Sequence, residues 1–176
     1  MDGARGRRQP DGQPLATVRS ISLLVENSPG VLAKIAGLIR RRGYNIHSLS
    51  VGVTDDRRVS RMLVVLEGDE QAEQVVKNLN KILEVRRVHD LTGCDTVERE
   101  LALIKVSVTP GTRQEVLHVA QIFRARVVDV GEHTVVVEVS GKPDKIDALQ
   151  ALLRRHGIRE MVRTGRVALA RGSQTT

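Results

Sequence analysis

From Thr17 onward the chain alternates apolar and polar positions, and Ile21, Leu23 and Val25 fall on one face of a predicted strand. The period then becomes helical, with Val31, Leu32, Ile35, Ala36, Leu38 and Ile39 forming an apolar stripe. Pro29 fits the first turn of that helix, Ser28 or Asn27 can cap it, and Gly43 closes it as a left-handed cap. Two strands follow, Asn45 to Val53 and Val59 to Leu66, joined through Thr54-Asp55-Asp56-Arg57, a polar joint short enough for a hairpin. A second helix turns Ala72, Val75, Val76, Leu79, Ile82 and Leu83 inward, and Val85 to Leu91 reads as a closing strand.

The order β-α-β-β-α-β predicts a four-stranded antiparallel sheet with both helices on one face, the ferredoxin-like plan. The order then repeats. Leu101 to Val108 is a strand, and Gly111 to Arg124 a helix with Val116, Leu117, Ala120 and Phe123 inward. Val127 to Val130 and Val135 to Val139 form a hairpin about Gly131-Glu132-His133. Lys142 to His156 is the next helix, capped by Gly157; Ile158 to Arg163 is the last strand of the unit, and Val167 to Ala170 a short extension. The reading is an α+β chain of two tandem ferredoxin-like βαββαβ units, residues 17–92 and 100–171, joined by a polar linker at 93–99. Residues 1–16, rich in Gly, Pro, Arg and Asp, are expected to be a disordered basic leader, and 172–176 a disordered tail.

Composition narrows the chemistry. With one Phe, one Tyr and no Trp, the core must be built from Val, Leu, Ile and Ala, which suits sheets covered by helices. The net charge of +7 calls for a nucleic-acid test. The arginines, however, come in dispersed pairs and triplets, and Arg40-Arg41-Arg42 and Arg154-Arg155 sit in last helical turns where cations favour the dipole. The chain has almost none of the aromatic rings on which single-stranded bases stack, so no nucleic-acid partner is expected. No apolar run approaches a membrane span, and no membrane partner is expected. The lone Cys94 excludes an intramolecular disulfide and a thiolate cluster and fits a reducing cytoplasm.

Catalytic patterns are missing as well. His47, His89, His118, His133 and His156 are scattered over separate elements without metal-ligand spacing. Glu98 and Glu100 flank Arg99 and read as ion-paired, and nothing assembles a nucleophile, base and orienter. No catalytic residue, metal site or bound cofactor is therefore assigned. What remains is Asn27, Gly30 and Asn45. A bare Cα at Gly30, in the first helical turn, would let an anion approach the amides of Val31 and Leu32. Each Asn carries both donor and acceptor, suiting the ammonium and carboxylate of a small amino acid. The same residues would also serve as a plain helix cap and a plain turn into a strand.

Leu24-Val25-Glu26-Asn27-Ser28-Pro29-Gly30-Val31-Leu32, followed by Arg42-Gly43-Tyr44-Asn45-Ile46-His47-Ser48-Leu49, resembles an ACT domain, a regulatory module that binds amino acids at subunit interfaces. Thr54-Asp55-Asp56, Ser60-Arg61-Met62, Val97-Glu98-Arg99-Glu100-Leu101, Ile122-Phe123-Arg124-Ala125 and Thr164-Gly165-Arg166-Val167 extend the resemblance to the small regulatory subunits of acetohydroxyacid (acetolactate) synthase, over nearly all of 17–172. The resemblance implies a non-catalytic subunit that activates a separate catalytic large subunit and makes it sensitive to valine. Thiamine diphosphate, magnesium and FAD would belong to that partner, and valine would be the effector. It further implies a homodimer through ACT domains, with valine held by Asn27, Gly30, Val31 and Leu32 of one protomer and Asn45 and Ile46 of the other. The alternative is an ACT-type sensor serving another enzyme or a transcriptional target.

Overall fold

The chain divides into two compact units with the boundary between Cys94 and Asp95. A computed structural model describes residues 18–68 and 72–173. The expected leader, and residues 174–176 of the expected tail, lie outside the described residues.

The first unit comprises β1 (Val18–Glu26), α1 (Val31–Arg41), β2 (Asn45–Val53), β3 (Val59–Glu67), α2 (Ala72–Leu79) and β4 (Val85–Asp90). Its antiparallel sheet has the order β2-β3-β1-β4, so β2 lies at an edge. Alternation along β1 turns Ile21, Leu23 and Val25 toward Val31, Ile35 and Ile39 of α1, with Val75 and Leu79 of α2 in the same core. The α1 stripe is narrower than its sequence suggested. Positions 31, 35 and 39 repeat every four residues and are buried, while Leu32, about 100° round the helix, is exposed. The inward assignment of Leu83 is also corrected, for its side chain is 94% exposed. The helix stops at Leu79, where Lys81 N–H donates to the Asn78 carbonyl and Ile82 N–H to that of Leu79, both at 3.1 Å, so a helical period no longer applies at Leu83. Ile82 still packs on the core. The expected inward side chain of Ala72 lies outside the described residues.

The second unit comprises β5 (Thr96–Ser107), α3 (Arg113–Ile122), β6 (Arg126–Val130), β7 (Thr134–Gly141), α4 (Pro143–Arg154), β8 (Ile158–Arg163) and β9 (Val167–Ala170). The order β6-β7-β5-β8 repeats that of the first sheet, and β9 pairs with β5 as well. Residues 96–99, read from sequence as part of the linker, are strand, because Thr96 to Arg99 pair with Ala170 to Val167. What looked like an extension is thus the strand that recruits them. Ala102, Ile104 and Val106 face Val116, Val119 and Ala120 of α3 and Ile146, Leu149 and Leu153 of α4.

The ion pairing expected of Glu98 and Glu100 is present, and it is deeper than surface pairing. Glu100 is 5% exposed and bonded to Arg163, with Arg166 Nε 3.5 Å away. Arg163 also meets Asp147 at 2.7 Å. Burial opposes its charge, and the bonds to Asp147 and Glu100 overcome that, leaving the guanidinium more firmly protonated than usual. No helix among the described residues is long and apolar enough to cross a membrane.

Candidate functional site

Where β1 ends, the chain hands its polar groups to the β2–β3 turn. Asn27 N–H donates to the Arg58 carbonyl at 2.8 Å, and its Nδ2 donates to the Arg57 carbonyl at 2.9 Å. A carbonyl can only accept, so the amide nitrogen of Asn27 must face Arg57 and its Oδ1 is left for another donor. The turn is clamped in its own right. Asp56 takes Arg58 N–H at 2.9 Å, Nε at 3.0 Å and Nη2 at 2.9 Å. The Arg58 guanidinium and backbone amide hold the Asp56 carboxyl at about 2, against an ordinary 3.8.

The capping expected of Asn27 or Ser28 does not occur. The residue before α1 is Gly30, at φ 86°, with no side-chain cap bond. Gly30 therefore precedes the helix instead of lying in its first turn, and Pro29 precedes it too. A Cβ added at Gly30 would meet nothing within 4 Å, so glycine is required there by the left-handed backbone and not by crowding. The first α-helical bond is Lys34 N–H to the Gly30 carbonyl, 3.0 Å. The amides of Leu32 and Ala33 lie ahead of it, at the positive end of the helix dipole, and the first turn holds no acidic side chain. The Val31 side chain is core and its N–H, expected to be open to an anion, points at the Ser28 carbonyl 3.5 Å away, whereas Leu32 is 42% exposed.

Asn45 begins β2 directly opposite Glu67, the last residue of β3. Its Nδ2 donates to Glu67 Oε2 at 2.6 Å, while His47 Nδ1 lies 3.1 Å from Oε1. These bonds, Asn45's first, hold the Glu67 carboxyl below its usual range. Ile46 faces inward and packs on the core. Sequence reading named neither Glu67 nor His47 as part of this cluster. Counting back from Val53↔Ser60 in a regular ladder would set Asn45 opposite Gly68, and only the bulge between Ile46 and Ser48 brings it to Glu67.

One chain thus keeps the expected site residues in two separate groups. Asn27, Gly30, Val31 and Leu32 gather beside the turn that starts β3, and Asn45 and Ile46 lie at the other end of that nine-residue strand. At about 3.4 Å per residue the groups are about 27 Å apart. The described residues hold no cluster of three or more His, Cys, Asp or Glu arranged for a metal ion.

Comparison with known proteins places both units. Residues 21–87 match the family described as the AHAS small subunit-like ACT domain, and residues 99–172 match the small subunit of acetolactate synthase. A probable acetolactate synthase small subunit from Archaeoglobus fulgidus is 50% identical over 156 residues, covering 88% of this chain and 98% of that protein. The acetolactate synthase small subunit of Bacillus subtilis is 48% identical over 158 residues, covering 89% and 92%. The crystal structure of the small subunit from Thermotoga maritima superposes with a TM-score of 0.81 at 36% identity, covering 90% of this chain and 99% of that one.

Proposed function

The chain belongs to the family of acetolactate synthase small subunits, regulatory subunits of branched-chain amino acid synthesis, and we propose that it activates a catalytic large subunit and subjects it to feedback inhibition by valine. Thiamine diphosphate, magnesium and FAD belong on that partner in this reading, the complex works in the cytoplasm, and this chain contributes no catalytic group.

The observation that carries the proposal is the separation of the two half-sites along an edge strand. β2 is the first strand in the sheet order, with Val51 and Val53 exposed along it, and an unpaired edge is a template for another strand. If two copies pair antiparallel through β2, the start of one strand comes to the end of the other. Asn45 and Ile46 of one protomer then approach Asn27, Gly30, Val31 and Leu32 of its partner, completing a site that neither chain has alone. The effector's carboxylate takes the amides at the start of α1, and its ammonium takes the free Oδ1 atoms of the two asparagines.

Size limits the affinity. Valine has about eight non-hydrogen atoms, which sets the dissociation constant between about micromolar and millimolar. Leucine and isoleucine differ by one methylene, about 1–3 kcal/mol in a tight pocket, so weak cross-response is expected. The test is acetolactate formation by the matching catalytic subunit, with and without this chain, across a valine titration. The expected result is a higher rate on adding the chain and a fall on adding valine. Valine binding without either effect would make the chain a sensor for another target.

A further inference from the structure

We infer that Glu67 is a positioning residue that fixes Asn45 Oδ1 as an acceptor for the effector's ammonium group, an inference that rests on the effector-site reading above. A free asparagine offers a donor and an acceptor, and could meet either end of an amino acid. Asn45 is not free in this way. Its Nδ2 is bonded to Glu67 Oε2 at 2.6 Å, and a carboxylate cannot donate, so the amide cannot flip without breaking that bond. His47 occupies the other carboxylate oxygen at 3.1 Å and braces Glu67 from the opposite side. The bulge between Ile46 and Ser48 is what lets residues 45 and 47 reach the same carboxylate, because in a regular strand the register would offset them.

The consequence is selectivity by polarity. With Nδ2 anchored through one of its two hydrogens, Asn45 presents Oδ1 in a fixed place, and an ammonium satisfies that acceptor where a bare carboxylic acid of the same shape leaves it unpaired. The charge of Glu67 adds an attraction of the same sign. Asn27 repeats the device with a backbone carbonyl, its Nδ2 committed to Arg57 at 2.9 Å. In this reading each asparagine presents an acceptor in a fixed place and the start of α1 presents donors, so one orientation of the bound amino acid is favoured before it arrives.

The experiment measures calorimetric binding of valine and of 3-methylbutanoate, which lacks the amine, to the full chain and to Glu67→Leu and Glu67→Gln. Stimulation of the catalytic subunit without valine is measured in parallel. The native chain is expected to bind valine at least about ten-fold tighter than 3-methylbutanoate, as loss of a hydrogen bond to a charged group demands. Glu67→Leu should weaken valine about ten-fold and narrow the preference over 3-methylbutanoate. Glu67→Gln keeps an oxygen for Asn45 Nδ2 and should stay within about three-fold of native. Unchanged valine affinity and selectivity in the Leu variant would overturn the inference. So would a Gln variant that falls as far as the Leu one, a result that decides the matter even if the Leu variant fails to assemble. If the native chain binds no valine at all, the effector-site reading itself fails, and that outcome is distinct from the other two.

Discussion

The loop before α1 and the loop before α3 occupy the same place in two copies of one strand order, yet they tie down their polar groups differently. Before α3, Thr109 N–H donates to Thr112 Oγ1 at 2.9 Å and Thr112 N–H to Thr109 Oγ1 at 3.2 Å. Arg113 N–H closes on the Thr109 carbonyl at 2.9 Å, and Glu115 supplies a carboxylate in the first turn. That loop is tied within itself, although α3, like α1, has no side-chain cap bond. The start of α1 has a left-handed glycine for a cap and no acid in its first turn, and its loop is tied instead to the β2–β3 turn through Asn27. A fold shared by two units does not by itself carry a ligand site with it; under the proposed function the site belongs to the loop with the left-handed glycine. The units also differ in where they keep charge. The first has rim pairs such as Arg19–Asp90, 3.0 Å and partly exposed, while the second buries the Glu100 carboxylate among arginines.

The largest expected effect tests the charge difference. Glu100→Ala would leave Arg163 and Arg166 without their buried partner and should destabilise the second unit by about 3 kcal/mol. Hydrogen exchange should show the loss along β5 and β8, with β1 and β3 little changed. Equal loss in both units would mean that they do not unfold separately.

A smaller effect separates the two loops. Gly30 is left-handed and Gly111 is not, and a Cβ at Gly111 would lie an ordinary 4.0 Å from Thr109 Oγ1. Gly30→Ala should cost about 1–2 kcal/mol of backbone strain and raise half-saturating valine about ten-fold, because the strain falls on the amides proposed to take the effector's carboxylate. Gly111→Ala should leave valine binding unchanged. Equal valine responses from the two variants would remove the functional distinction between the loops. An aspartate at position 30 is a poorer probe, since it adds a carboxylate and the same strain together.

How much of this was legible in the sequence follows from the range of the interactions. β2, β8 and β9 begin and end where the pattern puts them, because Gly and short polar joints punctuate them locally. Asn27, Gly30 and Asn45 were legible as candidates because their residue types are unusual for their positions. The partners were not. Residues 96–99 read as linker because their pairing strand lies far along the chain, in β9. Glu67 was hidden by a one-residue bulge, and Asn27 looked like a helix cap because nothing local reveals that its amide is taken by the Arg57 carbonyl. The periodicity that found the core also ran past the end of α2 to Leu83.

The smallest expected effect concerns acid. The seat of Asn27 is the turn that Asp56 clamps, and Asp56 titrates at about 2 where an ordinary carboxyl titrates at 3.8. A carboxyl whose folded pKa is lowered contributes stability that is whole above its ordinary value and lost as pH falls through the folded one. The grip on Arg58 should therefore weaken between about pH 4 and pH 2, and the Asn27 side-chain amide, followed by NMR without effector, should shift and exchange faster across that window. The counterpart loop is held by two threonine hydroxyls, which do not titrate, so the amides of Thr109 and Thr112 should stay put over the same range. Asp56→Asn should bring the Asn27 change to neutral pH, where neither the effector nor the rest of the chain is altered. If the Asn27 resonance ignores both acid and that substitution, the turn does not hold the site open, and the difference between the two loops reduces to Gly30 and the bare helix start.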